Sequence, residues 1–319
     1  MKLARIIKNY NIPGERDNDL GILRQTPGCK GIWGNVQFTC DKVAACDYAL
    51  VLNFPLTDTA IRCPKEHVWG IIQEPPIKEL MWLHQGDTKY HVIYTSDDRL
   101  HTNRHIPTQP AIPWLVNKDY DFLLTCAIPP KTEKLSWITS NLATYDGHRK
   151  RLAFLEFIRK KIDVHLYGRG FSYIQNKWDG LAPYRYSFAI ENFSNAYYWS
   201  EKLADCFLAW TMPIYYGCTR IKEYFPPDSM ICIDINDPDV IKKILLILES
   251  DIWERNRQAI AKARELVLQK YQLFPFIAEK IQLHETGCVC KKNNNLLISR
   301  NPRVRLSLRE KICRSFRLW

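Results

Sequence analysis

The sequence lacks the hydrophobic segments that mark membrane-spanning and secreted proteins. Its 319 residues contain no run of about 18 or more apolar residues, which is roughly the length that a transmembrane helix requires. The N-terminal stretch, MKLARIIKNYNIPGERDND, has no hydrophobic region of the signal-peptide type. We therefore expect a cytoplasmic protein without a membrane-spanning helix.

The sequence also lacks a cysteine pattern that indicates disulfides or a metal site. The eleven cysteines are scattered, without a CxxC pair, and Cys288 and Cys290 are separated by a single residue. An odd number of cysteines without a regular spacing favours a reducing compartment.

The positive charge is concentrated at one end of the chain. The formal net charge is +11, but nine Lys or Arg residues and one acidic residue lie between 291 and 319. The basic character therefore belongs to this tail and does not make the rest of the chain a nucleic-acid binder. If the segment Arg303–Trp319 is helical, its apolar residues share one face, which is typical of a helix at an anionic membrane surface. The alternative is that this apolar face packs on the protein itself.

The longest stretch with a clear pattern of secondary structure runs from 184 to 234. Tyr186–Ile190 is a short aromatic and aliphatic run that predicts a strand, and Ser200 can cap the helix that follows. Ile214–Tyr216 predicts the next strand. The segment is thus a predicted βαβ unit, and ligands of open α/β sheets bind at the carboxyl ends of such strands.

Polar side chains are concentrated between this strand and its helix. They are Glu191, Asn192, Tyr198, Glu201 and Lys202. A lysine in the first helical turn opposes the helix dipole, and it fits better if it faces an anion bound at the helix N-terminus. The alternative is an ordinary surface helix with an exposed lysine.

The first half of the chain predicts a second parallel sheet. Its apolar runs are Tyr48–Leu52, Val68–Ile72 and His91–Tyr94, separated by segments long enough for crossover connections. Glu74 follows the second run and precedes Pro75 and Pro76. A carboxylate fixed at the end of a strand suits general base catalysis. The alternative is a solvated carboxylate in a turn.

A further helix begins with a basic segment. Gly147-His148-Arg149-Lys150-Arg151 opens it, although basic residues are unfavourable at a helix N-terminus. This segment therefore also predicts a bound anion. Asp237-Pro238-Asp239 is a DxD triplet, but we interpret Asp237 as a helix cap rather than as a metal ligand.

The segment from 184 to 234 resembles the signature of glycosyltransferase family 10, the α-1,3/4-fucosyltransferases, here in the form of a soluble member of the bacterial type. The matching elements are Tyr184-Arg185-Tyr186, Ile190-Glu191-Asn192, Tyr198-Trp199-Ser200-Glu201-Lys202-Leu203, Pro213-Ile214-Tyr215-Tyr216-Gly217 and Tyr224-Phe225-Pro226-Pro227. The departures are Tyr186 and Ile190 in place of Phe, and Ser200 in place of Thr. Glu74-Pro75-Pro76 resembles the family's Glu-x-Pro element. The Ser140-Asn141 pair, the basic helix start and the Val164–Gly168 segment also resemble family elements, except that His165 replaces an Asp.

The resemblance implies a fold and a reaction. The fold would be α/β of the GT-B type, with two Rossmann-like domains facing across a cleft. The reaction would be inverting transfer of L-fucose from GDP-fucose to a glycan that contains N-acetylglucosamine or glucose. We expect no obligatory metal or cofactor, and a non-essential stimulation by divalent cations stays open.

The resemblance also implies roles for individual residues. Glu74 would be the catalytic base, and Lys202 and Arg151 would neutralise the donor diphosphate. Arg149 is a second candidate for the position of Arg151, and the sequence does not decide between them. Asn192, Tyr198 and Glu201 would hold the nucleotide-sugar, with Glu201 on the ribose, and Tyr167 and Gly168 would lie near the guanine.

We expect three regions: an acceptor-binding domain over 1–127, a donor-binding domain over 128–285 and a basic tail over 286–319. The tail would touch anionic membrane peripherally. Three other classes compete with fucosyl transfer: a transferase for a different nucleotide-sugar, a non-catalytic glycan-binding protein and a nucleic-acid binder. The joint presence of the Glu, Asn, Lys and Arg positions disfavours the second, and the location of the charge disfavours the third.

Overall fold

The computed structural model describes residues 1–12, 21–286 and 294–300 of the chain. These residues form two compact units. Unit 1 contains residues 1–113 and 119–121 together with the described residues from 271 onward. Unit 2 contains residues 114–118 and 122–270.

The strands of unit 1 are mostly short and come from both ends of the chain. They are β1 (Lys2–Lys8), β2 (Ile32–Trp33), β3 (Val36–Thr39), β4 (Tyr48–Leu52), β5 (Thr59–Cys63), β6 (Val68–Ile71), β7 (Val92–Thr95), β8 (His105–Pro107) and β14 (Asn294–Ile298). Its helices include α1 (Met81–Gln85) and α9 (Leu273–Glu285), and α2 (Tyr120–Thr125) begins in unit 1 and ends in unit 2.

The main sheet of unit 1 has the order β2-β3-β1-β4-β6-β7-β8, and β14 pairs with β5 in a separate antiparallel sheet. All neighbours in the main sheet are parallel except β2 and β3. Every residue of β4 and of β6 is buried, as expected for central strands covered on both faces. The predicted strands in this half of the chain are therefore confirmed.

Unit 2 alternates strands with helices. Its elements are β9 (Glu133–Ile138), α3 (Asp146–Ile158), β10 (His165–Tyr167), β11 (Tyr184–Ile190), α4 (Glu201–Leu208), β12 (Met212–Tyr216), α5 (Ile221–Tyr224), β13 (Ile231–Cys232), α6 (Val240–Leu248), α7 (Ile252–Arg255) and α8 (Arg257–Leu266), followed by a π-helical turn at Val267–Tyr271.

Its five-stranded sheet has the order β10-β9-β11-β12-β13, with every pair parallel. The predicted βαβ unit is present as β11, α4 and β12. Ser200 caps α4 as predicted, with its hydroxyl accepting a hydrogen bond from the Lys202 amide. The core is formed by residues of the sheet, such as Trp137 and Phe188, by Phe154 of α3 and by residues of α6 to α8.

The unit boundaries differ from the expected division at residues 127 and 285. The chain passes between the units within residues 114–122, and α9 belongs to unit 1 rather than to the donor domain. The reason is that the aromatic residues of α9 have their partners in unit 1. The Phe274 ring lies 5.0 Å from that of Phe38, and the Phe276 ring lies 5.6 Å from that of Tyr94.

The tail from 286 is described only in part. Asn294–Ile298 forms β14, while the predicted amphipathic helix over Arg303–Trp319 lies outside the described residues. Within the described ranges, no helix combines the length and the apolar character that crossing a membrane requires.

Candidate active site

The centre of the candidate site is Glu191, the residue that directly follows β11. Its Oε1 atom accepts hydrogen bonds from the Ser200 amide at 2.7 Å and from the Ser200 hydroxyl at 2.8 Å. Its Oε2 atom lies 3.2 Å from Nζ of Lys202. The carboxylate thus connects the end of β11 to the first turn of α4, and its contacts hold the side chains of Ser200 and Lys202 in place.

Burial and charge act against each other in this cluster. Burial raises the pKa of the Glu191 carboxyl, which is fully enclosed, and the adjacent Lys202 ammonium opposes that rise. Burial alone would lower the pKa of Lys202, but Glu191 and Glu201 outweigh it, so that the pKa is raised. The cation of Lys202 is therefore stable in the folded protein because two carboxylates face it.

Arg151 lies in the same cluster and comes from α3. Its side chain donates to Asn192 Oδ1 at 2.7 Å and to the carbonyl oxygen of Ser140 at 3.0 Å. Its Nε atom has no hydrogen-bond partner in the described part of the chain, although the residue is only 4% exposed. Burial lowers the pKa of Arg151 to about 10, and Glu191 opposes this shift, so the guanidinium stays charged at neutral pH.

A glycine makes the contact between α3 and the loop after β11 possible. A Cβ atom at Gly147 would lie 1.7 Å from the carbonyl oxygen of Asn192, a distance that no side chain can adopt. The absence of a side chain at Gly147 therefore lets the first turn of α3 approach Asn192, and Arg151 follows one turn later.

The second candidate arginine occupies a different environment. Arg149 is exposed, donates to the carbonyl oxygen of Ala143 at 2.9 Å and forms an ion pair with Asp146 in its own helical turn. The structure brings Arg151 to Asn192 and leaves Arg149 in contacts within its own segment.

Glu201 belongs to a second, adjoining group of charges. Lys177 Nζ lies 3.5 Å from Glu201 Oε1 and 3.2 Å from Asp205 Oδ2, and Asp205 also accepts from the Leu115 amide at 2.9 Å. Burial would raise the pKa of Glu201, but Lys202 and Lys177 lower it to about 2. Burial raises the pKa of Asp205 to about 6, against the effect of Lys177.

The other predicted donor residues lie at the same edge of the five-stranded sheet. Tyr198 is buried, and its amide donates to Asn195 Oδ1 at 2.8 Å in the loop before α4. Tyr167 ends β10, with its hydroxyl 2.7 Å from that of Tyr184. Gly168 follows with φ +108°, and a Cβ atom there would lie 2.1 Å from the Thr139 carbonyl oxygen. The predicted donor residues are therefore grouped in one unit, except that Arg149 points into its own turn.

Sequence analysis assigned no role to several residues of this site, although it named two of them, Glu191 and Ser140. Glu191 belongs to the matched segment, and its position directly after a strand could have identified it. Lys177 and Asp205 are distant in sequence from the residues they contact, and no local pattern distinguishes them.

Glu74 lies in unit 1, three residues beyond the end of β6, in a half-buried turn. The preceding residue, Gln73, is held by three hydrogen bonds. Its amide donates to Asn53 Oδ1 at 2.8 Å, its side-chain amide donates to the Ala111 carbonyl oxygen at 2.9 Å, and its Oε1 accepts from the Tyr10 hydroxyl at 2.6 Å. The predicted location at the carboxyl end of a strand is thus confirmed, and the turn is rigidly supported.

The DxD triplet forms a turn before α6. Asp237 Oδ1 accepts from the Asp239 amide at 2.9 Å, and its carboxylate pairs with Lys243. The prediction that Asp237 is the helix cap is therefore wrong, because α6 begins only at Val240 and its N-cap is Asp239, two residues later. The pairing of Asp237 with Lys243 does not indicate a metal ligand.

The segment that contains this site is similar to known proteins. Residues 128–257 match the family model described as glycosyltransferase family 10 (fucosyltransferase), C-terminal. The 4-galactosyl-N-acetylglucosaminide 3-alpha-L-fucosyltransferases 9 of human and mouse are each 29% identical to this chain over 124 residues. That match covers 37% of this chain and 34% of each enzyme, so the chain matches about a third of their length.

Two solved structures share the fold over most of the chain. A crystal structure of an alpha1,3-fucosyltransferase has a TM-score of 0.51 at 12% identity and covers 94% of this chain and 92% of that one. An alpha-glucosyltransferase, solved with UDP and a DNA 13-mer, has a TM-score of 0.53 at 11% identity, with 89% and 99% covered. The likeness extends over both units and shows the GT-B fold. Residues 128–257 are thus similar to the C-terminal part of glycosyltransferase family 10, the fucosyltransferases.

Proposed function

We propose that this protein transfers L-fucose from GDP-fucose to a hydroxyl group of a glycan, with inversion at the anomeric carbon. The observation that carries the proposal is the presence of two cations, the buried Arg151 and the partly buried Lys202, at the carboxyl end of β11 within the segment that matches family 10. The family and the related enzymes support fucose as the sugar.

The hydrogen-bond inventory supports a role of these cations on the diphosphate. An ammonium group has three N–H donors, and Lys202 directs two of them at Glu191 and Ser200. A guanidinium has five, and Arg151 leaves its Nε–H without a described partner. Lys202 can thus donate its third N–H to a phosphate oxygen without breaking the contacts that hold it, and Arg151 contributes its charge. Their charge would stabilise the departing GDP, where negative charge grows in the transition state.

The other residues proposed to contact the nucleotide-sugar are assigned from their positions at the same edge of the sheet. Asn192 and Tyr198 would bind the nucleotide-sugar, and Glu201, whose low pKa keeps it ionised, would accept from the ribose hydroxyls. Tyr167 and Gly168 would lie beside the guanine. In this proposal Glu74 is the base that removes the proton from the acceptor hydroxyl. The acceptor would contain N-acetylglucosamine or glucose, and no obligatory metal takes part.

The donor assignment is tested by thermal melting of the full chain. A ligand that binds only the folded state raises the melting temperature by mass action. GDP and GDP-fucose should raise it, whereas UDP and UDP-sugars should not. Stabilisation by UDP-sugars instead of GDP would point to a transferase with another donor.

Catalysis is tested separately, with GDP-fucose and a panel of oligosaccharides. Release of GDP together with a fucosylated product supports the proposal. Binding of GDP-fucose or of a glycan without any turnover would identify a non-catalytic binding protein.

We further propose that the basic segment 303–319 binds anionic membrane surfaces. The concentration of basic residues in the tail and the apolar stripe that a helix would form support this. Deletion of residues 300–319 should weaken sedimentation with anionic vesicles and leave transfer to a soluble acceptor intact. Unchanged sedimentation would exclude this role.

A further inference from the structure

A group of metal-ligating side chains lies in unit 1, apart from the residues proposed for transfer. One imidazole nitrogen each of His67 and His284 and one carboxylate oxygen of Glu285 lie within 4.8 Å of one another. His67 precedes β6, and the two other residues lie in the last turn of α9. Their convergence joins parts of the chain that are more than two hundred residues apart in sequence.

Each of these side chains is oriented by a second partner. The Tyr48 hydroxyl donates to Glu285 Oε1 at 2.6 Å and lies 3.1 Å from His284 Nδ1. The His67 ring stacks on the Tyr48 ring at a centroid distance of 4.2 Å, and its Nδ1 lies 2.8 Å from the Asp47 carbonyl oxygen. Partners of this kind hold the ligands of protein metal sites and fix the tautomers of their histidines.

The hydrogen bonds assign the tautomers of both histidines. A carbonyl oxygen only accepts, so the contact with Asp47 requires the proton of His67 on Nδ1. The single hydroxyl hydrogen of Tyr48 is directed to Glu285, so the contact with His284 requires a proton on its Nδ1 as well. When such an imidazole is neutral, its lone pair lies on Nε2, and a neutral imidazole is the form in which histidine binds a metal.

We propose that His67, His284 and Glu285 bind a divalent transition-metal ion with the ligand preference of zinc. Two imidazoles and one carboxylate suit such an ion, whereas magnesium and calcium favour oxygen ligands alone. Water would complete the coordination. Bonds of about 2.0–2.2 Å place ligand atoms roughly 3.4 Å apart in a tetrahedral site. The ligand atoms, which lie within 4.8 Å of one another, must therefore approach by up to about 1.4 Å to reach this spacing. The partly exposed side chains of His284 and Glu285 at the end of a helix can provide that movement.

Lys2 opposes this site electrostatically. Its Nζ lies 2.8 Å from Glu285 Oε2, so an ion would share the carboxylate with an ammonium group. A carboxylate has about four lone-pair positions, which accommodates Tyr48, Lys2 and a metal together. The repulsion between the ion and Lys2 nevertheless weakens metal binding. A variant that removes the charge of Lys2 should therefore bind the ion more tightly.

The experiment uses the full chain after removal of metals with a chelator. Zinc is then added, the metal content is measured by elemental analysis and the melting temperature is recorded. We expect one ion per chain and a rise in melting temperature. Loss of a residue that orients a metal ligand typically weakens binding by about 10–100-fold. His284→Phe and Glu285→Gln remove a ligand itself, the latter with the shape of the side chain kept, so zinc binding should weaken by more than this. Tyr48→Phe removes a residue that orients ligands, so its loss of zinc affinity should fall within that range.

Matched variants separate this site from other zinc ligands. Glu279→Gln removes a carboxylate from the same helix, and Cys232→Ser removes an exposed thiol; neither should alter the affinity. Lys2→Met should tighten binding even if a ligand variant fails to fold. Equal zinc binding in the parent, His284→Phe and Glu285→Gln, or no gain with Lys2→Met, would overturn the proposal. Because no residue of this site takes part in the proposed transfer, its failure would leave the transfer proposal intact.

Discussion

The donor cluster of unit 2 and the Glu74 turn of unit 1 are held in place in different ways. In the cluster, the functional side chains hold one another, as Glu191 and Lys202 do. At Glu74, neighbouring residues hold the backbone. Arg99 donates to the Pro76 carbonyl oxygen at 2.8 Å and is itself bound by the buried Asp97 at 2.7 Å. Removal of a side chain therefore leaves a buried partner unsatisfied in the cluster but leaves the turn at Glu74 intact.

The largest effect is expected for Glu74→Gln. The acceptor hydroxyl is too weak an acid to lose its proton before attack, and glutamine cannot accept that proton. Transfer should fall by about 10²–10⁴-fold, the usual contribution of a general base. GDP affinity and melting temperature should hardly change, because the turn is held through Gln73 and Pro76. Transfer and GDP binding are measured on one preparation. Near-normal transfer would remove Glu74 as the base, and a loss of GDP binding would contradict the contrast between the two regions.

Variants of the cluster should combine lost binding with lost stability. Lys202→Ala and Arg151→Ala should each weaken GDP binding by about 1.5–3 kcal/mol, the scale of a hydrogen bond to a charged group. Both should also lower the melting temperature, because Glu191 or Asn192 loses an enclosed partner. Calorimetric titration with GDP and thermal melting measure the two effects.

Two further variants make this test sharper. Arg149→Ala removes an exposed arginine two residues from Arg151 and should leave GDP affinity nearly unchanged. The double variant Glu191→Gln, Lys202→Met should regain stability relative to Lys202→Ala, because no buried charge is left unpaired, while GDP binding stays weak. If Arg149→Ala weakens binding and Arg151→Ala does not, the assignment of the diphosphate contact is wrong.

Gly147→Ala tests the contact that holds α3 against the loop after β11. The added Cβ atom would overlap the Asn192 carbonyl oxygen, so the helix must shift. Overpacking of this kind costs roughly 1–3 kcal/mol, which denaturant unfolding measures. Gly34→Ala is the control, since a Cβ atom there meets nothing within 4 Å and only the φ of +56° is unfavourable. Equal destabilisation by both variants would show that the steric contact has no effect.

The last prediction concerns the pH dependence of the free energy of unfolding. The Asp205 pKa of about 6 exceeds its usual value of 3.8, so the folded protein binds more protons than the unfolded chain between these values. The contribution of Asp205 to the free energy of unfolding should therefore decrease as the pH rises from about 4 to 6, by at most roughly 3 kcal/mol, since one pKa unit corresponds to about 1.4 kcal/mol. Glu201, with a pKa of about 2, should gain its contribution as the pH rises from about 2 to 4.5. The difference between the parent and Asp205→Asn in urea unfolding, measured from pH 4 to 7, should change over the first window. A constant difference would contradict this.

The sequence predicts those parts of the molecule whose structure is determined by residues close together in the chain. Alternating apolar residues, the Ser200 cap and Pro213 define β11, α4 and β12, and all three were predicted. The assignment of α9 to unit 1 was not, because its apolar residues are equally compatible with any surface until Phe38 and Tyr94 are seen beside them. Lys177 was missed for the same reason, since its partners Glu201 and Asp205 lie more than twenty residues away.

The return of α9 to unit 1 affects the order in which the chain can fold during synthesis. Unit 2 ends at residue 270, whereas unit 1 lacks a helix that contacts Phe38 and Tyr94 until residue 285 has been made. The N-terminal part of unit 1 therefore stays incomplete, with aromatic surface exposed, while unit 2 is completed. A chain that stops at residue 270 should resist proteolysis over 122–270 and be cleaved within 1–113. The part of the protein that is made first is thus the part that is finished last.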